Sequence, residues 1–323
     1  MDHPAPGRLT FHLYLCLPLL LLGACRTPPP RPAVRLPACR AAPVQAARLA
    51  QRAFTAVREA RERLVPLDPE LDPAGTGLIG LRRSPVTTVK GSLGAKQTTA
   101  NPNWAALITE LLQRAGVRRG DAVAAGLSGS FPALNIATLA ALQALGARPV
   151  VIASVGASQY GANVPGLLWP DIERLLNEKG ILRVRSVGLS LGGQLDRAGS
   201  LKREGRRMLR EAIHRHGARM IRAPSFAESL EQRMKLYDAG GPIRVYVNIG
   251  GGAISVGTHR GKMAFRPGLS RGLPPDATEI DSVMTRFARR GVPVIHLIRI
   301  SELSRRFRLP WRPRVPPAPR ACP

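Results

Sequence analysis

Residues 122–135 read Ala-Val-Ala-Ala-Gly-Leu-Ser-Gly-Ser-Phe-Pro-Ala-Leu-Asn. The run over 122–127 is apolar, uncharged and short, the pattern of a strand buried on both faces. Small polar residues follow, and Pro132 then opens a second apolar stretch to residue 145. Proline suits the first turn of a helix, where its missing N–H has no partner to lose. Strand, Gly/Ser turn and helix in this order form the first half of a parallel βαβ unit.

The same order repeats outward. Strands are predicted over 149–155, 184–190, 243–249 and 293–298, with a shorter one over 219–223. Helices are predicted over 170–179, 201–216, 226–237 and 275–290. On the N-terminal side, residues 44–64 space Val44, Ala47, Leu49, Ala53, Phe54, Val57 and Leu64 helically before a run of prolines. Residues 103–115 place Trp104, Leu107, Ile108, Leu111 and Leu112 on one face, with Asn101 or Asn103 as the cap. The predicted class is α/β: a mainly parallel sheet with helices on both faces, a Rossmann-like three-layer domain over 44–298. Residues 299–323, with six Pro and seven Arg, predict a disordered tail without a core.

Four of the predicted strands end in Gly/Ser-rich loops. The first contains Ser128, Gly129, Ser130 and Asn135; the second Gly156, Ser158 and Asn163; the third Gly192, Gly193 and Asp196; the fourth Asn248, Gly250, Gly251 and Gly252. In a parallel sheet these loops share the carboxyl edge, where open α/β sheets bind ligands. Glycine lets a backbone approach a ligand, and helix N-termini offer free N–H groups to an anion. These residues are therefore the candidate ligand-binding set. The plainer reading of each loop is a tight strand–helix turn.

Enzyme motifs are incomplete. Gly126-Leu127-Ser128-Gly129-Ser130 has the outline of a nucleophile elbow, but its last position is Ser where the motif needs Gly. Of the histidines, His214 and His216 sit at a helix end, His296 in an apolar strand, and only His259 lies near a Gly-rich loop. No phosphate-binding motif is complete, so no cofactor is predicted, and the cysteines lack zinc-site spacing, so no metal is predicted. Lys96 stands among Thr and Ser over 87–101, either as a carboxylate ligand or base or in a solvated loop. The candidate catalytic groups are Ser128, Ser158 and Lys96.

The chain has 323 residues with 48 Lys+Arg against 21 Asp+Glu, a net charge of +27. Only six of the basic residues are Lys, so Arg dominates, as it does under GC-rich coding bias. Whatever its origin, such a field attracts polyanions. Aromatics are 4%, too few for the stacking platforms of single-strand nucleic-acid binders, which disfavours nucleic acid as the partner. No apolar run has membrane-spanning length, which excludes a multi-span membrane protein.

The N-terminus carries Arg8, an apolar stretch over 13–22 and then Leu22-Gly23-Ala24-Cys25. Small residues before a cysteine fit a lipoprotein-type signal peptide over 1–24 with Cys25 as the lipidated mature N-terminus. An ordinary signal peptide and an uncleaved anchor are the other readings. Residues 25–43 then form a Pro/Arg-rich linker that spaces a domain from a membrane. Cys39 and Cys322 remain, and the sequence leaves open whether they pair.

Several of these stretches together resemble one family. They are GLSGSFPALNI at 126–136, ASVGASQYGANVP at 153–165, Gly192-Gly193 with Asp196, and YVNIGGGAISVG at 246–257. TGLIG at 76–80 and GSLGAKQTTANP at 91–102 fit the same pattern. The family is the poly-γ-glutamate system protein family. The resemblance spans about residues 75–298, and Gln159-Tyr160 departs from it. It implies a cell-envelope accessory protein of poly-γ-glutamate biosynthesis or export, partnered by glutamate or the polymer and by the membrane-bound synthesis complex. It carries over no catalytic residue. A hydrolase or amide-transferring ligase acting on the polymer, and a general polyanion-binding module, are the alternatives.

Overall fold

The computed structural model describes Met1, residues 41–193 and residues 196–320. The predicted signal peptide, Cys25, residues 25–40 of the linker, Cys39 and Cys322 lie outside the described residues. All the elements named here belong to one compact unit within residues 33–323.

Helix α1 (Ala41–Glu62) opens the domain. Strand β1 (Thr87–Val89) and helices α2 (Leu93–Thr99) and α3 (Asn103–Arg114) follow. The apolar run and the proline-led stretch after it form β2 (Ala122–Ser128) and α4 (Pro132–Leu145), then comes β3 (Arg148–Ser154). Short strands β4 (Ala157–Ser158), β5 (Asn163–Val164) and β6 (Leu167–Leu168) lead into α5 (Trp169–Glu178). Next come β7 (Gly188–Ser190), α6 (Arg203–His216), β8 (Arg219–Met220), α7 (Phe226–Asp238) and β9 (Ile243–Ile249). The chain continues through α8 (Ala253–Val256), α9 (His259–Ala264), β10 (Gly268–Ser270), α10 (Val283–Arg289), β11 (Val294–Leu297) and α11 (Ile300–Arg306).

The central sheet has seven strands in the order β10-β11-β9-β2-β3-β7-β8, all parallel except β10 on β11. Alternation along β2 divides the core. Val123, Ala125 and Leu127 face α1, α3, α4, α5 and α6, while Ala124 faces α7, α8 and α10. This is a three-layer α/β fold with helices on both faces, as the alternating pattern implies. Because β3 and β9 flank β2 on opposite sides, the chain reverses direction across the sheet there. The carboxyl ends of β2 and β9 therefore mark the switch point, where such folds place ligands.

Helix α1 takes in residues 41–43 of the predicted linker, β8 is shorter than 219–223, and three further elements differ from the sequence reading. Strand β7 is shorter than 184–190 because Glu173 takes the backbone N–H of Ser186 and accepts from its hydroxyl at 2.8 Å, which removes that residue from the ladder. The helix predicted over 275–290 is broken: Pro275–Ala277 is a 3₁₀ turn, and Ser282 is extended and caps a new helix by accepting from Thr285 N at 3.2 Å. Residues 299–320 are not a tail without a core. Ile300, Leu303, Phe307 and Leu309 are buried against the domain, and Arg312 donates to Gln97 at 2.8 Å. The apolar spacing of four residues outweighs the Pro/Arg composition around them.

Candidate functional site

The carboxyl edge brings the four loops together, but most of the polar residues singled out in them hold the loops to one another. The Asn135 amide donates to Ser128 O at 2.9 Å and is fully buried. Asn163 accepts from Leu81 N at 2.8 Å and donates to Leu81 O at 2.8 Å and to Thr87 at 2.9 Å. Asn248 donates to Gly250 O at 2.8 Å and to His296 Nδ1 at 3.0 Å. Burial pushes the His296 imidazole down to about 4, so it is neutral at pH 7. The Ser130 hydroxyl accepts from Ser158 N at 2.9 Å, while the Ser158 hydroxyl donates to Gln159 O at 3.4 Å. A Cβ on Gly129 would stand 2.4 Å from Val155 O, and one on Gly156 would stand 2.7 Å from Leu191 O. The close approach these glycines permit is to neighbouring backbone.

Around the switch point Ser128 and Ser130 stay half-exposed and Gly251 and Gly252 open to solvent. A Cβ on Gly250 would lie 3.6 Å from both the Phe131 ring and Ser128 Cβ, so these loops touch across the β2–β9 crevice. Lys96 packs against the Ser130–Phe131 turn beside it. Helix α2 buries this side chain, its ammonium donating to Ser130 O and lying 3.4 Å from the centre of the Phe131 ring. Burial pulls Lys96 down to about 7. Its partner is a carbonyl rather than either candidate serine hydroxyl, so the three candidate catalytic groups do not form a nucleophile–base pair in this structure.

The third loop differs in kind. Asp196 is held by Arg233 through contacts of 2.7 and 3.1 Å, and it accepts from Ser190 and Ser229 at 2.7 Å each. With its negative charge neutralised, Asp196 sits at the wall of a cavity of about 830 Å³ beyond the carboxyl ends of β7 and β8. Four arginines line that cavity, Arg197, Arg206, Arg210 and Arg222, and Asp196 is the only acid among the lining residues. None of the four forms an ion pair among the described residues. Arg206 donates to Leu201 O and Arg222 contacts Met220 Sδ at 3.3 Å, which orients both stems. The volume is that of a small-ligand site, and unpaired guanidiniums give it the chemistry of a carboxylate or phosphate receptor.

Comparison with known proteins returns no match: no family model fits the chain, and neither a curated protein nor a solved structure is similar to it. The site therefore rests on its own geometry. Sequence reading reaches its wall through Asp196 alone, Gly192 and Gly193 lying outside the lining, and misses the arginines. Arg206 and Arg210 are four residues apart, one turn along the same side of α6, and that spacing is the available signal.

Proposed function

We propose that this chain is an envelope-anchored accessory protein of poly-γ-glutamate biosynthesis or export, and that the arginine cavity on its carboxyl edge holds the carboxylates of glutamate or of the polymer. The observation that carries the reading is the set of four arginines without acidic partners around one cavity. A γ-linked glutamate chain presents one carboxylate per residue, and guanidinium binds carboxylate through two parallel hydrogen bonds. The net charge of +27 supplies the long-range attraction for such a polymer. The motif resemblance supports the same pathway and adds the membrane-bound synthesis complex as a partner.

The test is equilibrium binding of poly-γ-glutamate to the purified protein at low and high salt. Binding is expected at low salt and is expected to weaken steeply as salt rises. The double variant Arg206→Glu/Arg210→Glu should lose most of it. No binding by the parent protein at low salt overturns the proposal. Equal displacement of the polymer by DNA would favour a general polyanion-binding module, and shortening of the polymer on incubation would favour the enzyme reading.

A further inference from the structure

A second cationic cavity lies at the opposite edge of the sheet. It measures about 880 Å³ and is bounded by the first half of α1, by the turn between α4 and β3, and by the segment after α5. Arg48, Arg52 and Arg183 line it, and so do the apolar side chains of Val44, Leu49 and Val184. The three guanidiniums are exposed, no acid lines the cavity, and none of the three has an ion pair or side-chain hydrogen bond among the described residues. Cationic side chains beside apolar ones match an amphiphile with an anionic head, and the lining differs from the more polar carboxyl-edge site.

Position narrows the occupant. Helix α1 has 22 residues and is about 33 Å long, so it crosses the domain from one edge to the other. Its far end packs at the carboxyl edge, where Val57 and Arg61 meet Pro132 and Gly161. Its first residue, Ala41, lines the amino-edge cavity and is where the segment read as a membrane spacer joins the domain.

We infer that the Arg48–Arg52–Arg183 groove docks the domain onto a membrane surface of anionic phospholipid, its arginines pairing headgroup phosphates while Val44 and Leu49 meet the acyl boundary. The inference rests on the envelope reading for its orientation. That orientation turns the carboxyl-edge arginines away from the bilayer, where a polymer can reach them. Clustered basic residues beside a membrane are a recognised source of affinity for anionic lipid, and an apolar contact adds depth.

The mature chain from residue 25, with Cys25→Ser so that no lipid is attached, is mixed with vesicles of phosphatidylcholine alone or of phosphatidylcholine with phosphatidylglycerol. Binding is expected only to the mixed vesicles. The triple variant Arg48→Glu/Arg52→Glu/Arg183→Glu should bind them roughly a hundredfold more weakly. The charge-matched variant Arg206→Glu/Arg210→Glu/Arg222→Glu should retain most of the binding. In a Val44→Trp variant, brominated lipid should quench the emission of the added indole, which attraction by net charge alone does not produce. Equal losses in both triple variants, or an added indole whose emission is not quenched, overturn the inference. So does a groove-dependent dimer without vesicle binding. Polymer binding by the same proteins is read separately: groove-dependent vesicle binding without polymer binding removes the proposed function and leaves this inference standing.

Discussion

Arg233 grips Asp196 with two nitrogens, at 2.7 and 3.1 Å, and the side chains of both are almost wholly buried. The pair joins α7 to the loop after β7, and Ser190 and Ser229 complete the shell around the carboxylate. Removing one partner leaves the other charged and dry. Arg233→Met is therefore expected to cost about 3–5 kcal/mol in urea unfolding. The double variant Arg233→Met/Asp196→Leu should recover much of that loss, because it leaves no unpaired charge behind. If the proposed polymer binding holds, both variants should also weaken it, since Asp196 fixes the loop that carries Arg197. A single variant as stable as the parent would show that the pair does not hold the loop.

Lys96 makes stability depend on pH in the neutral range. Its ammonium has a carbonyl and an aromatic face for partners but no carboxylate among the described residues, and burial brings it from 10.5 to about 7. Between these values the unfolded chain binds a proton that the folded chain does not. Stability should accordingly rise as pH increases from about 7 toward 10.5, and show no gain from this group below about 7. Lys96→Met keeps the stem volume and removes the titration. Denaturant unfolding across this range should give a flatter profile for the variant than for the parent. Parallel profiles would place the Lys96 proton elsewhere.

The fold is legible because its central pieces are uniform. An apolar run bounded by glycine and proline specifies β2 and α4, and the predicted bounds of α4 and β9 coincide with the observed ones. The site is legible only in outline. Asn135, Asn163 and Asn248 read as ligand donors, since an asparagine in a Gly-rich loop looks the same in sequence whether it meets a ligand or a backbone carbonyl. The arginines of the cavity come from positions 197, 206, 210 and 222, and only the fold gathers them. In a chain so rich in Arg, no one of them stands out. Residues 299–320 mislead for the opposite reason: prolines and arginines mask the four apolar side chains that dock them.

His296 predicts acid sensitivity. Asn248 donates to its Nδ1 at 3.0 Å, so the ring proton sits on Nε2 and points to Lys262 O at 3.3 Å. Burial, with Arg299 and Lys262 nearby, brings the imidazole from 6.5 to about 4. From pH 6.5 down to about 4 the unfolded chain takes up a proton that the folded chain refuses, so stability should fall over that window. His296→Gln removes the titrating group and should flatten the decline, measured as urea midpoints at stepped pH. The contact also links β11 to Asn248 near the end of β9, so the variant should lose about 1 kcal/mol at pH 7. An unchanged acid slope would assign the sensitivity to other groups.

Gly126 predicts a coupled pair with Tyr246. A Cβ added there would stand 2.3 Å from the Tyr246 hydroxyl and 3.2 Å from the ring carbon that bears it. The ring cannot retreat, because it stacks on Phe287 at 5.0 Å and meets Tyr237 edge-on at 5.7 Å. Gly126→Ala alone should therefore cost about 1–3 kcal/mol by overpacking. Tyr246→Phe alone should cost about 1 kcal/mol, since the hydroxyl gives up a long hydrogen bond to Asn248 at 3.4 Å together with its contacts to Ser255 and Tyr237. In the double variant the hydroxyl that the new methyl group would strike is gone. The two losses should then sum to more than the loss in the double variant, by about 0.5 kcal/mol or more. Strict additivity in a double-mutant cycle would mean that the packing between β2 and β9 yields to accommodate the methyl group without involving the Tyr246 hydroxyl.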